Sequence, residues 1–307
     1  MNKTVSSINK SQCFLKNVKV FTFDAYNTLY SPTLPVMEQY SIVGKKYGIN
    51  VDSKVLTKKF HSCFSEINKE YPRYGKYKNI SASDWWGKLI IELFKPNTVP
   101  DEMINEILVR FEGKMAYTVY DDIVRFLTYI KQKHPEIIIG IISNTDPICK
   151  ILLGNLGLYK FFDSEDIYLS YDLDISKPNP EIFNYCFNDI CRRYPHLKKV
   201  GVPCDQLKKL FWHIGDEPKN DFEGSQLSGW SSILINRFDL PGISANPKVT
   251  LNYKKNLSTN TDAWVSRSTL TASSSSQKGV EMSFITDNQI VVSNLDVLTD
   301  YVQAQES

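Results

Sequence analysis

What the chain lacks narrows its function first. Its six cysteines form no CxxC pair and stand near no histidine at zinc-site spacing, so neither a zinc module nor a dithiol redox centre is expected, and a reducing compartment suffices. No apolar run approaches the roughly 20 residues of a membrane span. The first residues hold no apolar segment of the secretory kind. Net charge is only +2, from 36 basic and 34 acidic side chains, short of the basicity of a dedicated nucleic-acid binder. Neither a membrane nor a nucleic acid is therefore an expected partner, and no internal repeat points to a solenoid. What is present is ordinary: 307 residues, 42% hydrophobic and 23% charged, enough for one large or two modest globular domains.

Periodicity divides the chain. Residues 1–17 read as a lead-in; its lysines Lys3, Lys10 and Lys16 with no arginine leave a mitochondrial presequence open beside the expected cytoplasmic location. Val18 to Phe23 is a short β-branched and aromatic run that stops at Asp24, as a buried strand feeding a loop does. From Pro35 onward apolar residues recur at helical spacing: Val36, Tyr40, Val43 and Tyr47, then Leu56, Phe60, Phe64 and Ile67, then Trp85, Leu89 and Phe94, and Ile104, Ile107 and Phe111 after Pro100. Residues 31–118 thus form a helical insert within a first domain made of 18–30 and 119–307. Past Asp121 strands and helices alternate, with apolar runs at Ile137–Ile142, Ile167–Leu169, Leu210–Ile214 and Ser232–Ile235. The expected fold is α/β, a Rossmann-like parallel sheet with helices on both faces. Two stretches break the alternation. Tyr194 to Lys209, rich in lysine and proline, reads as a solvated surface loop. Residues 238–284, with the serine tract Ser273–Ser276, read as a long flexible insertion that can be shortened without loss of the fold. Gln289–Val292 and Leu295–Val302 then return to the sheet as strand and helix.

In a parallel sheet of this kind, ligands bind beyond the carboxyl ends of the strands. Residues at those ends are Asp24, then Ser143 and Asn144, then Lys177, then Asp216 with Asp221 on the next turn. Each alone is an ordinary turn or cap residue. Together they bring a carboxylate nucleophile, hydroxyl and amide donors, a cation and an acidic pair to one edge. His213, by contrast, reads as a core residue of its strand, and the Trp85–Trp86 pair as packing of the insert.

At these residues the sequence resembles the haloacid dehalogenase superfamily. Its four motifs occur in order as FTFDAYNTLY, IGIISNTD, SKPNPEIF and HIGDEPKNDFEGSQLSGW, with the insert in the place of an α-helical cap. EYPRYGKY and DWWGKLI resemble, more narrowly, the group of the haloacid dehalogenase-like hydrolase domain-containing protein 3. The resemblance implies Asp24 as nucleophile, forming an aspartyl intermediate that water hydrolyses. It implies Mg²⁺ held by Asp24, the backbone carbonyl of Tyr26 and Asp216, with Asp221, Asn220 and Glu217 outside that set. Thr28, Ser143, Asn144 and Lys177 would bind the phosphoryl group, Lys177 also offsetting its charge.

The first motif departs from the phosphatase pattern, DxD, because Tyr26 stands where the second acid belongs. That acid protonates the leaving oxygen, help worth on the order of 10²- to 10⁴-fold, and a phenol of pKa ~10 is a poor replacement. Tyrosine occurs there in 2-haloacid dehalogenases, but these lack the acidic fourth motif retained here in Gly215-Asp216 and Asp221. Their tyrosine six residues past the lysine is Phe183, and no arginine lies between Asp24 and Arg73. Three functions follow: a magnesium-dependent phosphatase-type hydrolase of a small phosphorylated metabolite, a silent phospholigand-binding or interaction protein on the same fold, and a metal-free dehalogenase.

Overall fold

The computed structural model describes residues 14–237 and 282–307. Its centre is a seven-stranded sheet. In chain order the strands are β1 (Val20–Phe23), β4 (Ile138–Ser143), β5 (Ile167–Leu169), β6 (Phe211–Gly215), β7 (Ser231–Ile235), β8 (Met282–Thr286) and β9 (Gln289–Val292). Across the sheet they lie in the order β5-β4-β1-β6-β7-β9-β8, all parallel except β8. β1 is buried on both faces, so its alternate residues feed two separate cores: Phe21 and Phe23 pack with Phe126, Ile139 and Ile141, while Val20 joins Ile182, Phe187 and Phe211. Phe23 pairs with Ile141 on one side and Ile214 on the other. That register sets the residues that follow the three central strands side by side at the carboxyl edge.

The insert leaves the first domain through a two-stranded antiparallel ribbon, β2 (Tyr30–Pro32) with β3 (Tyr117–Val119), which sequence periodicity had placed inside the helical region. Between them run α1 (Val36–Lys46), α2 (Ser53–Glu70), α3 (Ala82–Phe94) and α4 (Asp101–Arg110). Their starts are where side chains can satisfy the orphan amides: Asp52 accepts from Lys54 N, and Ser81 with Asp84 forms a capping box. The helices close on an apolar core of their own, around Val43, Leu56, Phe60, Trp85 and Leu89.

The helices of the sheet domain are α5 (Asp121–Lys133), α6 (Ile148–Asn155), α7 (Ser170–Leu173), α8 (Pro180–Arg193), α9 (Cys204–Lys208), α10 (Gly224–Leu227) and α11 (Leu295–Glu306). Two expectations need correction here, and a third falls almost wholly outside the described residues. The Tyr194–Lys209 stretch is a 3₁₀ turn (Pro195–Val200) and α9, anchored by buried Leu197 and Leu207, so its lysines decorate ordered structure. The lead-in ends in a 3₁₀ turn, Phe14–Asn17, with Leu15 buried and Phe14 N donating to Gln305 Oε1 of α11 at 2.7 Å. The expected insertion 238–284 lies outside the described residues except for its last three, which begin β8. β8 and β9 form a hairpin across Asp287-Asn288, a two-residue turn of the residue types that tight hairpins favour.

One buried charge network braces the α8 side. Arg193 Nε donates to Asp189 Oδ2 at 2.9 Å and its Nη2 to Asp166 Oδ1, while Tyr194 Oη donates to Asp166 Oδ2 at 2.8 Å. The Asp166 side chain is 1% exposed. Removing the partner of a buried ion typically costs about 3–5 kcal/mol. Arg193→Met is therefore expected to lower the unfolding free energy, read from the shift of the urea midpoint at an unchanged m-value, by that order; a change of under about 1 kcal/mol would rank it with surface pairs.

Candidate active site

Asp24 follows β1, Ser143 ends β4, Asp216 follows β6, and Lys177 enters from the loop between α7 and α8. The Lys177 ammonium is the hub. It donates to Asp24 Oδ1 at 2.7 Å, Asp221 Oδ1 at 2.6 Å and the Ile142 carbonyl at 2.7 Å, so all three of its protons are engaged. Ser143 Oγ donates to the same Asp24 Oδ1 at 3.0 Å. Asp221, on a π-helical turn (Pro218–Glu223), also receives Glu217 N on Oδ2 at 2.9 Å and faces His213 Nε2 at 3.2 Å. The turn can approach so closely because of Gly215: a Cβ there would lie 2.2 Å from the Asp221 carboxylate carbon.

Charge balance explains the protonation pattern. Burial raises Asp24, Lys177 lowers it, and Asp221 and Asp216 raise it again, leaving it at about 7. Burial also opposes ionisation of Asp221, but Lys177 and His213 outweigh it and hold that carboxyl well below the usual range. Glu217 is pushed up to about 8 by burial, then by Asp216 and Asp221. His213, lowered to about 4 by burial and by Lys177, is neutral; one proton on Nε2 lets it donate to Asp221 while Nδ1 accepts from Thr22 Oγ1 at 2.9 Å. It is a buried positioning group, as its strand location had indicated.

Oxygens of Asp24, Asp216 and Asp221 lie within 4.8 Å of one another. These are hard ligands, more negative together than the single ammonium offsets, and they fit a cation such as Mg²⁺. Because Asp221 is already engaged with Lys177, His213 and Glu217 N, Asp24 and Asp216 are the pair best disposed to hold it.

Two of the expected phosphoryl-binding side chains also hold neighbouring protein groups. Thr28, fully buried, donates its hydroxyl to Asp216 Oδ1 at 3.2 Å. The Asn144 side chain spans the backbone of Lys177, donating to its carbonyl and accepting from its N–H, each at 2.8 Å. Both help to orient charged groups, and Asn144 is also among the residues that line the cleft. Asn220 donates to Glu217 Oε2, and the Tyr26 ring forms an edge-to-face triangle with those of Tyr30 and Tyr117, its centroid 6.3 Å from each.

Contacts between the insert and the sheet domain were not legible in the sequence. Trp86 Nε1 donates to Asp146 Oδ2 at 2.7 Å, Arg73 to Ser176 Oγ at 2.8 Å and to the Asp174 carbonyl at 2.7 Å, and Lys76 to the Tyr171 carbonyl at 2.7 Å. Trp86 packs against the edge of the insert's own core, beside Phe64, Tyr74 and Trp85, while its indole N–H reaches the sheet domain. Beneath this seam lies a cleft of about 1170 Å³, counted to its open mouth, with Asp24, Ser143, Asp216 and Glu217 among its lining residues.

A parallel sheet with a carboxylate cluster at its carboxyl edge, beneath a helical insert placed after the first strand, defines a class of capped α/β hydrolases. Within that class the chain belongs to the haloacid dehalogenase-like hydrolase family, whose model matches residues 18–221. Uncharacterized protein YMR130W of Saccharomyces cerevisiae is 44% identical over 290 residues, 92% of each chain. Haloacid dehalogenase-like hydrolase domain-containing protein 3 of Mus musculus is 22% identical over 71% of this chain and 82% of its own. Among solved structures, the 2-haloacid dehalogenase of Pseudomonas syringae pv. Tomato DC3000 shares the fold at TM-score 0.50 and 16% identity, covering 94% of this chain and 100% of that one.

Proposed function

We propose that the protein is a magnesium-dependent phosphatase that works through an aspartyl phosphate on Asp24, acting on a small phosphorylated metabolite. The carrying observation is the Lys177 ammonium between Asp24 and Asp221, with Ser143 on the same Asp24 oxygen. A carboxylate oxygen of Asp24 attacks phosphorus; the bond to the leaving oxygen breaks and its electron pair departs with that oxygen. Water then attacks the same phosphorus, releasing inorganic phosphate and restoring the carboxylate. Lys177 places a positive charge, and Ser143 a hydroxyl, beside the Asp24 oxygen where charge develops, and because their positions are fixed by packing they need little reorganisation. Asn144 holds the Lys177 backbone in register for this, and Thr28 holds Asp216. Asp24, Asp216 and the Tyr26 carbonyl would hold Mg²⁺, which when bound offsets phosphoryl charge that Lys177 alone does not cover.

Calorimetric titration is expected to show Mg²⁺ binding to the wild type and its loss in Asp216→Ala. A metabolite screen is expected to find turnover only with the cation present. Absent binding, or equal binding by the variant, rejects the metal site. Tyr26 favours a second reading, a phospholigand-binding protein without turnover; metal and ligand binding with no hydrolysis of any ester would establish it instead.

A further inference from the structure

We infer that the ester cleaved here carries an uncharged aromatic leaving group, an inference that rests on the phosphatase reading. Much of the cleft lining is aromatic: Tyr26, Phe60, Phe64, Trp86, Phe111 and Tyr117 all contribute to it. Their rings meet edge to face or tilted, Phe111 and Tyr117 at 5.7 Å and 80°, Phe64 and Trp86 at 6.4 Å and 60°. Such a wall binds another ring through the same edge-to-face preference.

Charge points the same way. The ionisable acids lining the cleft are Asp24, Asp146, Asp216 and Glu217, and no lysine, arginine or histidine among the described residues lines it. Lys177, its side chain 2% exposed, has its protons on Asp24, Asp221 and Ile142. A second anionic group on the substrate, away from the metal site, would therefore meet Asp146 and no lysine, arginine or histidine among the described lining residues. Like charges so placed reject a partner strongly. The first motif agrees independently: an aryl oxygen can leave as a phenolate, with the electron pair of the broken P–O bond, and take its proton from water afterwards. Alkyl alcohols need the acid that Tyr26 replaces.

The test compares kcat/KM for 2-naphthyl phosphate, the same ester with a carboxylate on its distal ring, and glucose 6-phosphate, each with Mg²⁺. The neutral aryl ester is expected to exceed the carboxylated one by about tenfold or more. Leu108→Arg, which adds a cation to a half-buried position of the wall, is expected to bring the two within about threefold. A second measurement needs no turnover: 2-naphthyl phosphate should quench the fluorescence of Asp24→Asn through Trp86, and the carboxylated ester should compete about tenfold more weakly. Equal values for the two aryl esters, or preference for the sugar phosphate, with turnover still dependent on Asp24, overturns the inference and leaves the phosphatase reading standing. Absence of Asp24-dependent turnover of every ester rejects the phosphatase reading, and the quenching titration then decides the leaving-group pocket alone.

Discussion

Asp24→Asn is expected to remove aryl phosphatase turnover by on the order of 10⁴-fold or more, the scale seen when a nucleophile is deleted from a group that acts as a unit, and to do so without loss of stability. The reasoning is electrostatic. Burial and two neighbouring carboxylates already disfavour the charge on Asp24, whose pKa stands at about 7. The isosteric amide still offers Oδ1 to Lys177 and Ser143 but carries no charge to repel Asp216 and Asp221. Lys177→Met removes activity too, with the opposite effect on the fold. It strips from Asp24 and Asp221, whose side chains are 12% and 1% exposed, the one ammonium that pairs with them among the described residues, and removing the partner of a buried carboxylate costs about 3–5 kcal/mol. Thermal unfolding therefore separates the two: an unchanged or higher Tm for Asp24→Asn, a Tm lower by several degrees for Lys177→Met. Activity retained by Asp24→Asn would show that another group is the nucleophile.

The strand-end residues were legible because a parallel sheet places the residue after each strand on one edge whatever the intervening lengths, so Asp24, Ser143 and Asp216 could be grouped before any contact was known. Hydrogen-bond direction was not legible. Strand ends assign Asn144, and the family resemblance Thr28, to the right edge, but which neighbouring groups they hold depends on sub-ångström packing, which places them on the Lys177 backbone and Asp216. The basic run near Lys198 hid Leu197 and Leu207 because a 3₁₀ turn and a one-turn helix show too few periods to register. The seam from Trp86 to Asp146 joins elements 60 residues apart, and no local pattern encodes it.

Tyr26→Asp is expected to raise turnover of alkyl phosphates by about 10²-fold while changing aryl phosphates much less. The substitution supplies the acid that alkyl leaving groups require, help worth up to about 10⁴-fold. Misplacement takes part of it back. The Tyr26 ring packs edge-on against Tyr30 and Tyr117, both 6.3 Å away, and a carboxyl in that space is not held where the phenol was; an ångström off line costs about 10²-fold. The same neighbourhood works in favour of the new group. Asp24, Asp216 and Glu217 line the cleft with it, and nearby carboxylates raise the pKa of an added one, keeping it protonated near neutral pH as a general acid must be. The measurement is the dependence of log kcat/KM on leaving-group pKa. Wild type should give a steep slope, since the leaving oxygen bears its charge unaided, and Tyr26→Asp a shallower one, with the lines converging at the most acidic phenols. Parallel lines would mean that leaving-group protonation already comes from elsewhere in the cleft, and Tyr26 would then be a wall of the pocket rather than the site of a missing acid.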